Sequence, residues 1–292
     1  MAMASADNIT LREPEATDAA RCAEIVFEAF GAIQDHHRFQ RDFPALEAAA
    51  GLVDMFIAHP QIWGVLAEVD GQIVGSNFLD ERSPIRGVGP ITVAPEGQDS
   101  GVGRRLMEAV LERGKEAPGI RLLQDAFHMR SLALYEMLGF DVKEGVAVVT
   151  GSPRERALSD HEVRPLEDQD LDACEELCLA VHGYERTNEL RDAKQAFTPF
   201  VALRDGRIVA YASAVSFWPM NHGVAETAAD MQVLMVGAAA SIDEPLAFLA
   251  PLRSELFRWS LQQGLRLVKP MNVMALGDYR DPQGSWFPSV LY

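Results

Sequence analysis

The alternation of apolar and polar positions divides the first half of the chain into an ordered series of elements. An opening strand, Asn8 to Glu13, leads into a helix over Thr17 to Phe30, where Ile25, Val26, Ala29 and Phe30 recur at helical spacing and Thr17 or Asp18 can cap the start. A polar, irregular segment over Gly31 to Phe43 holds His36 and His37. A second helix over Pro44 to Ala58 follows, with Leu46, Val53, Phe56 and Ile57 as its apolar set. Next come strands over Ile62 to Val69 and Gln72 to Leu79, flanking Asp70-Gly71. That pair is a strong hairpin signal, because both central positions of a type I′ turn need positive φ. A strand over Gly87 to Val93, a loop, a helix ending at Arg113, a strand over Ile120 to Asp125 and a helix over Ser131 to Leu138 complete the order βααβββαβα, and strands over Gly139 to Thr150 close it.

The second half repeats the first after a linker at residues 151–160. Arg12, Asp18, Cys22, Glu24 and Gly31 have counterparts in Arg164, Asp170, Cys174, Glu176 and Gly183 at one constant offset, and Asp70-Gly71-Gln72-Ile73-Val74 is matched by Asp205-Gly206-Arg207-Ile208-Val209. The expected division is therefore a first domain at residues 7–150 and a second at 161–292. The second copy reads as a strand over Asp230 to Val236, a long amphipathic helix over Pro245 to Gln263 and a strand over Arg266 to Leu276. Its aromatic tail, Gly284 to Tyr292, is expected to pack as an edge strand.

Between the strand ending at Val93 and the helix that follows lies Gln98-Asp99-Ser100-Gly101-Val102-Gly103. The amides that open a helix have no intrahelical acceptors, and the helix dipole places partial positive charge at the same end, so a phosphate fits there. Gly101 and Gly103 let the backbone approach a ligand closely. In the second copy the corresponding stretch is read as Gly237 to Ser241, without the glycine pattern and followed by Asp243 and Glu244, which would repel a pyrophosphate. One anion site per chain is expected, in the first domain. A dinucleotide fingerprint is a poor match, since Leu106 stands at its third glycine and the preceding βααβββ order is wrong for it. A P-loop fails because no Lys-Ser or Lys-Thr follows Gly103.

Composition narrows the choice of partner. The 26 basic and 43 acidic residues leave a net charge of -17, which argues against nucleic acid and is compatible with a cationic substrate, although a spread of acids also serves solubility. No apolar stretch is long enough for a membrane span and Met1 to Asn8 lacks the features of a signal peptide, so a cytoplasmic location is expected. Cys22, Cys174 and Cys178 form neither a disulfide framework nor a zinc pattern and are expected as buried thiols.

The Gln98 to Gly103 run, preceded by Val93-Ala94-Pro95, resembles the pyrophosphate loop of the GNAT acetyltransferases, (Gln/Arg)-x-x-Gly-x-(Gly/Ala), and the element order resembles the GNAT fold. The chain as a whole is similar to tandem GNAT proteins in which one copy is degenerate: a mixed α/β architecture of two domains, each a mostly antiparallel sheet flanked by helices. The resemblance implies acetyl-CoA as the cofactor, held by Gln98, Asp99, Ser100, Gly101, Val102 and Gly103, with Arg104 or Arg105 pairing with a phosphate or facing solvent. It also implies a backbone donor among Ile91, Thr92 and Val93 for the thioester carbonyl. The segment Ser131 to Phe140 is close to the family's Ala-Leu-x-Leu-Tyr-x-x-x-Gly-Phe ending and maps Tyr135 onto the general acid, a phenol protonated at neutral pH.

Two departures from the pattern stand out. His128 occupies a position where the family commonly has Asn, as a pantetheine contact or a partly buried histidine. The strand before the loop carries no carboxylate, so the general base is left among Asp125, His36, His37, Glu81 and the free carboxylate of Tyr292. The implied reaction is transfer of an acetyl group to a primary amine of a small molecule or peptide by direct attack in a ternary complex, in a monomer or homodimer. The alternative is a GNAT-like protein that binds acyl-CoA without turnover.

Overall fold

The computed structural model describes residues 8–154 and 161–292, so most of the expected linker and the extreme N-terminus lie outside the described residues. The chain separates into two compact units, Met1–Glu81 with Arg86–Ile120, and Arg82–Ile85 with Arg121–Tyr292. These boundaries do not follow the repeat. The reason lies in the strand pairing of the second unit.

The first unit contains β1 (Ile9–Arg12), α1 (Ala19–His37), α2 (Leu46–Ala58), β2 (Ile62–Val69), β3 (Gln72–Asp80), β4 (Arg86–Val88), β5 (Thr92–Val93) and α3 (Val102–Arg113). β1 pairs antiparallel with β2, β2 with β3, and β3 with both β4 and β5. Asp70 and Gly71 have φ of 51° and 75°, as the hairpin signal requires. Cys22, Val26, Val53 and Leu66 form a core between the two helices and the sheet. α1 runs further than the sequence indicates. His36 and His37 form its last turn instead of lying in a loop, and Arg38 ends it in the left-handed conformation. The polar run there is the helix's solvent face, with Gln34 and Gly31 as its buried positions.

The second unit contains β6 (Gly119–Asp125), α4 (Met129–Met137), β7 (Asp141–Gly151), β8 (Glu162–Pro165), α5 (Leu171–His182), α6 (Thr187–Ala196), β9 (Phe200–Arg204), β10 (Arg207–Ala212), β11 (Gly223–Ala225), α7 (Ala228–Ala239), β12 (Leu246–Pro251), α8 (Glu255–Gln262), β13 (Arg266–Gly277) and β14 (Ser285–Phe287). β14, β11, β10, β9 and β8 form a five-stranded sheet in that order, and the tail is its edge strand, as expected. The other strands run in the order β6, β13, β7, β12. By position in the repeat, β12 is the counterpart of β6 and β13 of β7. Each copy's last strand therefore sits beside the other copy's preceding strand, so β7 does not close its own domain. β13 pairs with β7 from Arg266↔Thr150 to Ala275↔Asp141.

The repeat is visible in side-chain detail. Arg12 holds Asp18 with Nη1 to Oδ2 at 2.6 Å and Nη2 to Oδ1 at 2.9 Å, and Arg164 holds Asp170 at the same two distances. In each copy that aspartate forms a capping box with a glutamate three residues earlier, Glu15 or Glu167. Asp205 and Gly206 repeat the hairpin turn with φ of 54° and 76°. All three cysteines are free and buried. Burial pushes the Cys22 and Cys174 thiols up to about 12 and Cys178 up to about 11, so all three are unreactive at neutral pH.

Two elements of the second copy differ from expectation. Asp230 to Val236 lies within helix α7, not a strand. Its apolar residues are buried on nearly every side, so they carry no amphipathic period, and the start is fixed by Thr227, whose Oγ1 accepts from Asp230 N–H. Residues 245–263 are a strand followed by a helix, not one long helix. Leu246–Pro251 pairs with β7, and Ser254 caps α8 by accepting from Phe257 N–H at 3.1 Å. Leu249, Leu252 and Leu256 share a helical spacing by coincidence.

Among the described residues no helix is long and apolar enough to cross a membrane.

Candidate functional site

The strand expected over Gly87 to Val93 is interrupted. Val88 faces Leu79 and Thr92 faces Ser76, so Gly89, Pro90 and Ile91 oppose only Phe78 and Asn77. One extra residue is a β-bulge, which bends the strand and leaves backbone groups outside the ladder. Gly89, with φ of 137°, still donates its N–H to Phe78 O at 3.0 Å, and Pro90 has no N–H. Ile91 falls between the two ladders. Its amide is not used by strand pairing and is a donor available to a ligand. Thr92 is buried, with its hydroxyl 3.2 Å from Ser76 Oγ, and so helps fix the strand rather than contact solvent.

After β5 the chain turns through a single 3-10 turn at Pro95–Gly97 into an extended Gln98 and then Asp99 at φ 64°. Gln98 Nε2 donates back to Val93 O at 3.3 Å, and Ser100 Oγ donates to Gly97 O at 2.5 Å. These contacts make both side chains braces of the loop. Gly101 caps α3 in the left-handed conformation, φ 88°, and its carbonyl accepts the N–H of Arg105 at 3.1 Å. The amides of Val102, Gly103 and Arg104 therefore precede the first intrahelical donor and point out of the helix end.

The residues fit a pyrophosphate. A Cβ at Gly101 would meet no protein atom within 4 Å, so the space beside the capping residue is open. Val102 is fully buried and acts as the helix's anchor. Arg104 and Arg105 are exposed, and Arg104 Nη1 lies 3.8 Å from Glu108 Oε1 one turn on.

Two positions that matter here were not singled out from sequence. A Cβ on Gly75 of β3 would lie 2.7 Å from Thr92 O, 3.1 Å from Leu106 Cδ1 and 3.3 Å from Val102 Cγ1. Its absence lets β3, β5 and the first turns of α3 come together. Gly97 is similarly close to Val93 and Val74. The signal was present, since a glycine inside a strand pattern marks close backbone approach.

In the second unit, Tyr135 lies on α4 with its side chain buried and its ring edge-on to Phe140, 6.2 Å between centroids. Burial, reinforced by the Asp125 carboxylate, holds its phenol pKa well above the ordinary tyrosine value. The group is thus fully protonated at neutral pH, the state of an acid and not of a base. His128 is the N-cap of α4, and its main chain braces this corner. Its N–H donates to Asp125 O at 2.8 Å and its carbonyl accepts from Gln124 Nε2 and Ser131 Oγ, both at 2.9 Å. Gln124, which the sequence reading passed over, links this corner to the neighbouring strand by accepting from Asn272 Nδ2 at 2.9 Å.

The candidate bases separate clearly. Asp125 is buried and meets Lys269 Nζ at 2.7 Å, off the angle of a hydrogen bond, so this is a contact of charges. Glu81 is held by Arg113 through paired contacts of 3.0 and 2.8 Å. His36 and His37 are exposed and stack edge to face, 4.8 Å apart. Tyr292 is buried among His182, Tyr184 and Trp286, with Arg121 and Arg186 lying 5.7 and 5.9 Å from its ring. That environment accounts for its side chain as packing.

The second copy lacks the cradle for a reason different from the one expected. Gly237 to Ala239 end α7 and have no strand before them. The true counterpart is Glu226-Thr227, between β11 and α7, which is too short to wrap an anion. The helix start is instead filled by the protein's own carboxylate. Asp230, fully buried, receives Arg204 Nη1 at 2.7 Å and Thr227 Oγ1 at 2.6 Å, and lies 3.0 Å from His161 Nε2. Asp243 and Glu244 have no part in this.

Residues 21–140 match the acetyltransferase (GNAT) family profile. A search of curated protein sequences finds no match. Among solved structures, a Pyrococcus horikoshii protein assigned to the acetyltransferases superposes with a TM-score of 0.71 at 15% identity, covering 93% of this chain and 90% of that one. A GCN5-related N-acetyltransferase from Sphaerobacter thermophilus gives 0.61 at 16% identity, with 96% and 99% covered. A tandem GNAT protein from the clavulanic acid biosynthesis pathway gives 0.57 at 11% identity, with 92% and 98% covered. Residues 21–140 thus belong to the GNAT acetyltransferase family, and the chain as a whole has the tandem GNAT fold.

Proposed function

We propose that the chain is an acetyl-CoA-dependent N-acetyltransferase acting on a primary amine of a small molecule or peptide, by direct attack in a ternary complex. The observation that carries the reading is the junction in the first unit. A β-bulge at Gly89–Ile91 is followed, after β5 and one 3-10 turn, by a glycine-capped helix start, and a Cβ on the capping Gly101 would meet no protein atom within 4 Å. Acetyl-CoA, when bound, supplies an activated thioester. Ser100 to Gly103 would hold its pyrophosphate by main-chain N–H groups and the helix dipole, with Arg104 or Arg105 turning from solvent toward a phosphate. The amide of Ile91 would donate to the thioester carbonyl, where negative charge develops as the amine attacks. Tyr135, kept protonated by burial, would give its proton to the departing thiolate. The net charge of -17 suits a cationic acceptor, and a cytoplasmic setting without nucleic acid or membrane partners agrees with it.

A second reading is favoured by one observation. Asp125 and Glu81 are both committed to cations, and no carboxylate stands in β4 or β5, so an acyl-CoA-binding protein without turnover is the competitor. Thermal shift with acetyl-CoA, followed by thiol release across a panel of amines, separates the cases. A shift with turnover on at least one amine supports the enzyme, a shift with none supports the binding protein, and no shift overturns both.

A further inference from the structure

Helix α4 carries Tyr135 inward and leaves its opposite side exposed. Tyr135 is its buried residue, whereas Met129, Arg130, Ala133, Glu136 and Met137 are exposed. At 3.6 residues per turn those five positions fall within about 120° of one another, on a face centred on Ala133 and turned away from Tyr135. Met137 and Met129, exposed by 67% and 58%, are the two most exposed large apolar side chains among the described residues, and both lie on this one face. Single exposed apolar residues are ordinary on a protein surface, but two methionines about two turns apart on one short helix form a patch.

The order of residues on that face is symmetric about Ala133. Met129 and Met137 stand four residues to either side of it, and Arg130 and Glu136 stand three. A two-fold axis through Ala133, perpendicular to the helix, therefore lays α4 antiparallel on the α4 of a second molecule so that every position meets its complement. Met129 meets Met137, Arg130 meets Glu136 and Ala133 meets Ala133, with each of the first two contacts occurring twice. This is the self-complementarity that an isologous contact demands. Alanine at the axis lets the helices approach to about 8 Å, and the unbranched thioether side chains adapt to the seam on either side. The charges select the direction, because a parallel pairing would bring arginine level with arginine and glutamate level with glutamate. A lipid surface fits the face less well, since one basic residue lies beside one acidic residue in a chain of net charge -17.

We propose that α4 is a dimerisation surface: two molecules of this chain associate through the face of Met129, Ala133 and Met137, antiparallel about Ala133, with Arg130 and Glu136 paired across the seam. The proposal depends on no assignment of catalytic roles and so stands apart from the acetyltransferase reading. One short helix from each subunit covers less than the ~800 Å² per partner of a tight interface, so the dimer should dissociate in the range of about 1–100 µM.

Sedimentation equilibrium of the full-length protein between about 1 and 200 µM, at low salt, provides the test. The mass should rise with concentration from the 32.1 kDa monomer toward twice that value, and a constant monomer mass overturns the proposal. Ala133→Arg sets two cations against each other on the axis and should weaken association by roughly 10-fold or more. An unchanged dissociation constant in that variant places the contact on another face and overturns the proposal. Charge exchange tests the register. Arg130→Glu and Glu136→Arg should each weaken the dimer by about 3- to 10-fold, because two opposite-charge pairs become like-charge pairs, and the double variant should return to within about twofold of wild type. General repulsion between acidic chains predicts instead that Glu136→Arg strengthens the dimer. That result, or a double variant as weak as the single ones, overturns the proposal. If Ala133→Arg does not fold, the charge-exchange series decides by itself, because only the antiparallel pairing about Ala133 predicts loss in both single variants and recovery in the double.

Discussion

Replacing Gly75 with alanine should loosen the cradle without touching a residue that contacts the ligand. The new Cβ would lie 2.7 Å from the carbonyl oxygen of Thr92, against about 3.3 Å for a close carbon-oxygen contact. Thr92 O is a main-chain atom in a paired strand and cannot rotate away. Leu106 and Val102, at 3.1 and 3.3 Å, block the other side. Relief therefore requires β5 and the start of α3 to separate from β3 by about half an ångström. Overpacking of this kind costs about 1–3 kcal/mol, offset by about 0.5–1 kcal/mol because alanine is less flexible than glycine in a strand. A net loss of about 1–2 kcal/mol in urea unfolding is expected. The same displacement moves the amides of Val102 and Gly103 relative to the loop. Losing one hydrogen bond to a charged phosphate, worth about 1.5–3 kcal/mol, weakens coenzyme A binding by roughly 10- to 100-fold in calorimetry. Gly51→Ala is the control. Gly51 lies inside α2 with nothing within 4 Å of its added Cβ, so alanine should stabilise by about 0.5–1 kcal/mol and leave binding alone. Wild-type coenzyme A affinity in Gly75→Ala, with an unfolding midpoint raised as in the control, would refute the argument.

Other outcomes follow from single contacts. Tyr135→Phe should lower kcat by about 10²- to 10⁴-fold, the usual range for a general acid, with coenzyme A affinity nearly unchanged in calorimetry. Gly101→Val should do the reverse of this in binding, since a branched side chain at φ 88° is strained and projects into the cradle, and a coenzyme A titration showing wild-type affinity would rule out the site. Stability should fall as the solution is acidified, in two stages. His182, fully buried and depressed to about 3 from 6.5 by burial, is kept neutral in the fold but protonates when unfolded, so its contribution is intact above about pH 6.5 and lost as pH falls toward 3, at about 1.4 kcal/mol per unit. His222 acts in the same direction. Asp18 and Asp170, lowered by Arg12 and Arg164, add a further loss below the usual carboxylate range, and urea midpoints of His182→Phe against pH should be flatter than wild type between 6 and 4.

How far the sequence could be read depended on whether a feature is written locally. The Asp-Gly turns, the Arg-Asp clamps and the glycine-capped helix start are each fixed by a few neighbouring residues, and the structure contains all of them. α7 and β12 were misread because AADMQVLMVGAA, apart from Asp230 and Gln232, and LAFLAP are made of apolar residues. Buried on both faces, they carry no period to distinguish helix from strand, and only Thr227 and Ser254 mark the helix starts. The same error misplaced the second copy's missing cradle at Gly237 when the loss had occurred at Glu226-Thr227. The bulge was half legible. Gly89-Pro90 interrupts a strand pattern, but the extra residue appears only when register against β3 is counted.

Strand exchange belongs to a different class, because nothing in β13 alone says which strand it will join. What the sequence does hold is the oddity that the exchange explains. Lys269 sits in a run of otherwise apolar or proline residues, Leu267-Val268-Lys269-Pro270-Met271, where a lysine has no reason to be buried unless an anion waits for it. Asp125 is that anion, and it lies in the other copy of the repeat. Divergence of the second copy therefore had different consequences at its two ends. At the start of α7 the buried Asp230 took the place of a ligand and no anion site remains. At β13 the buried Lys269 meets Asp125 at the end of β6, which ties the last strand of the copy without a cradle to a strand of the copy that has one.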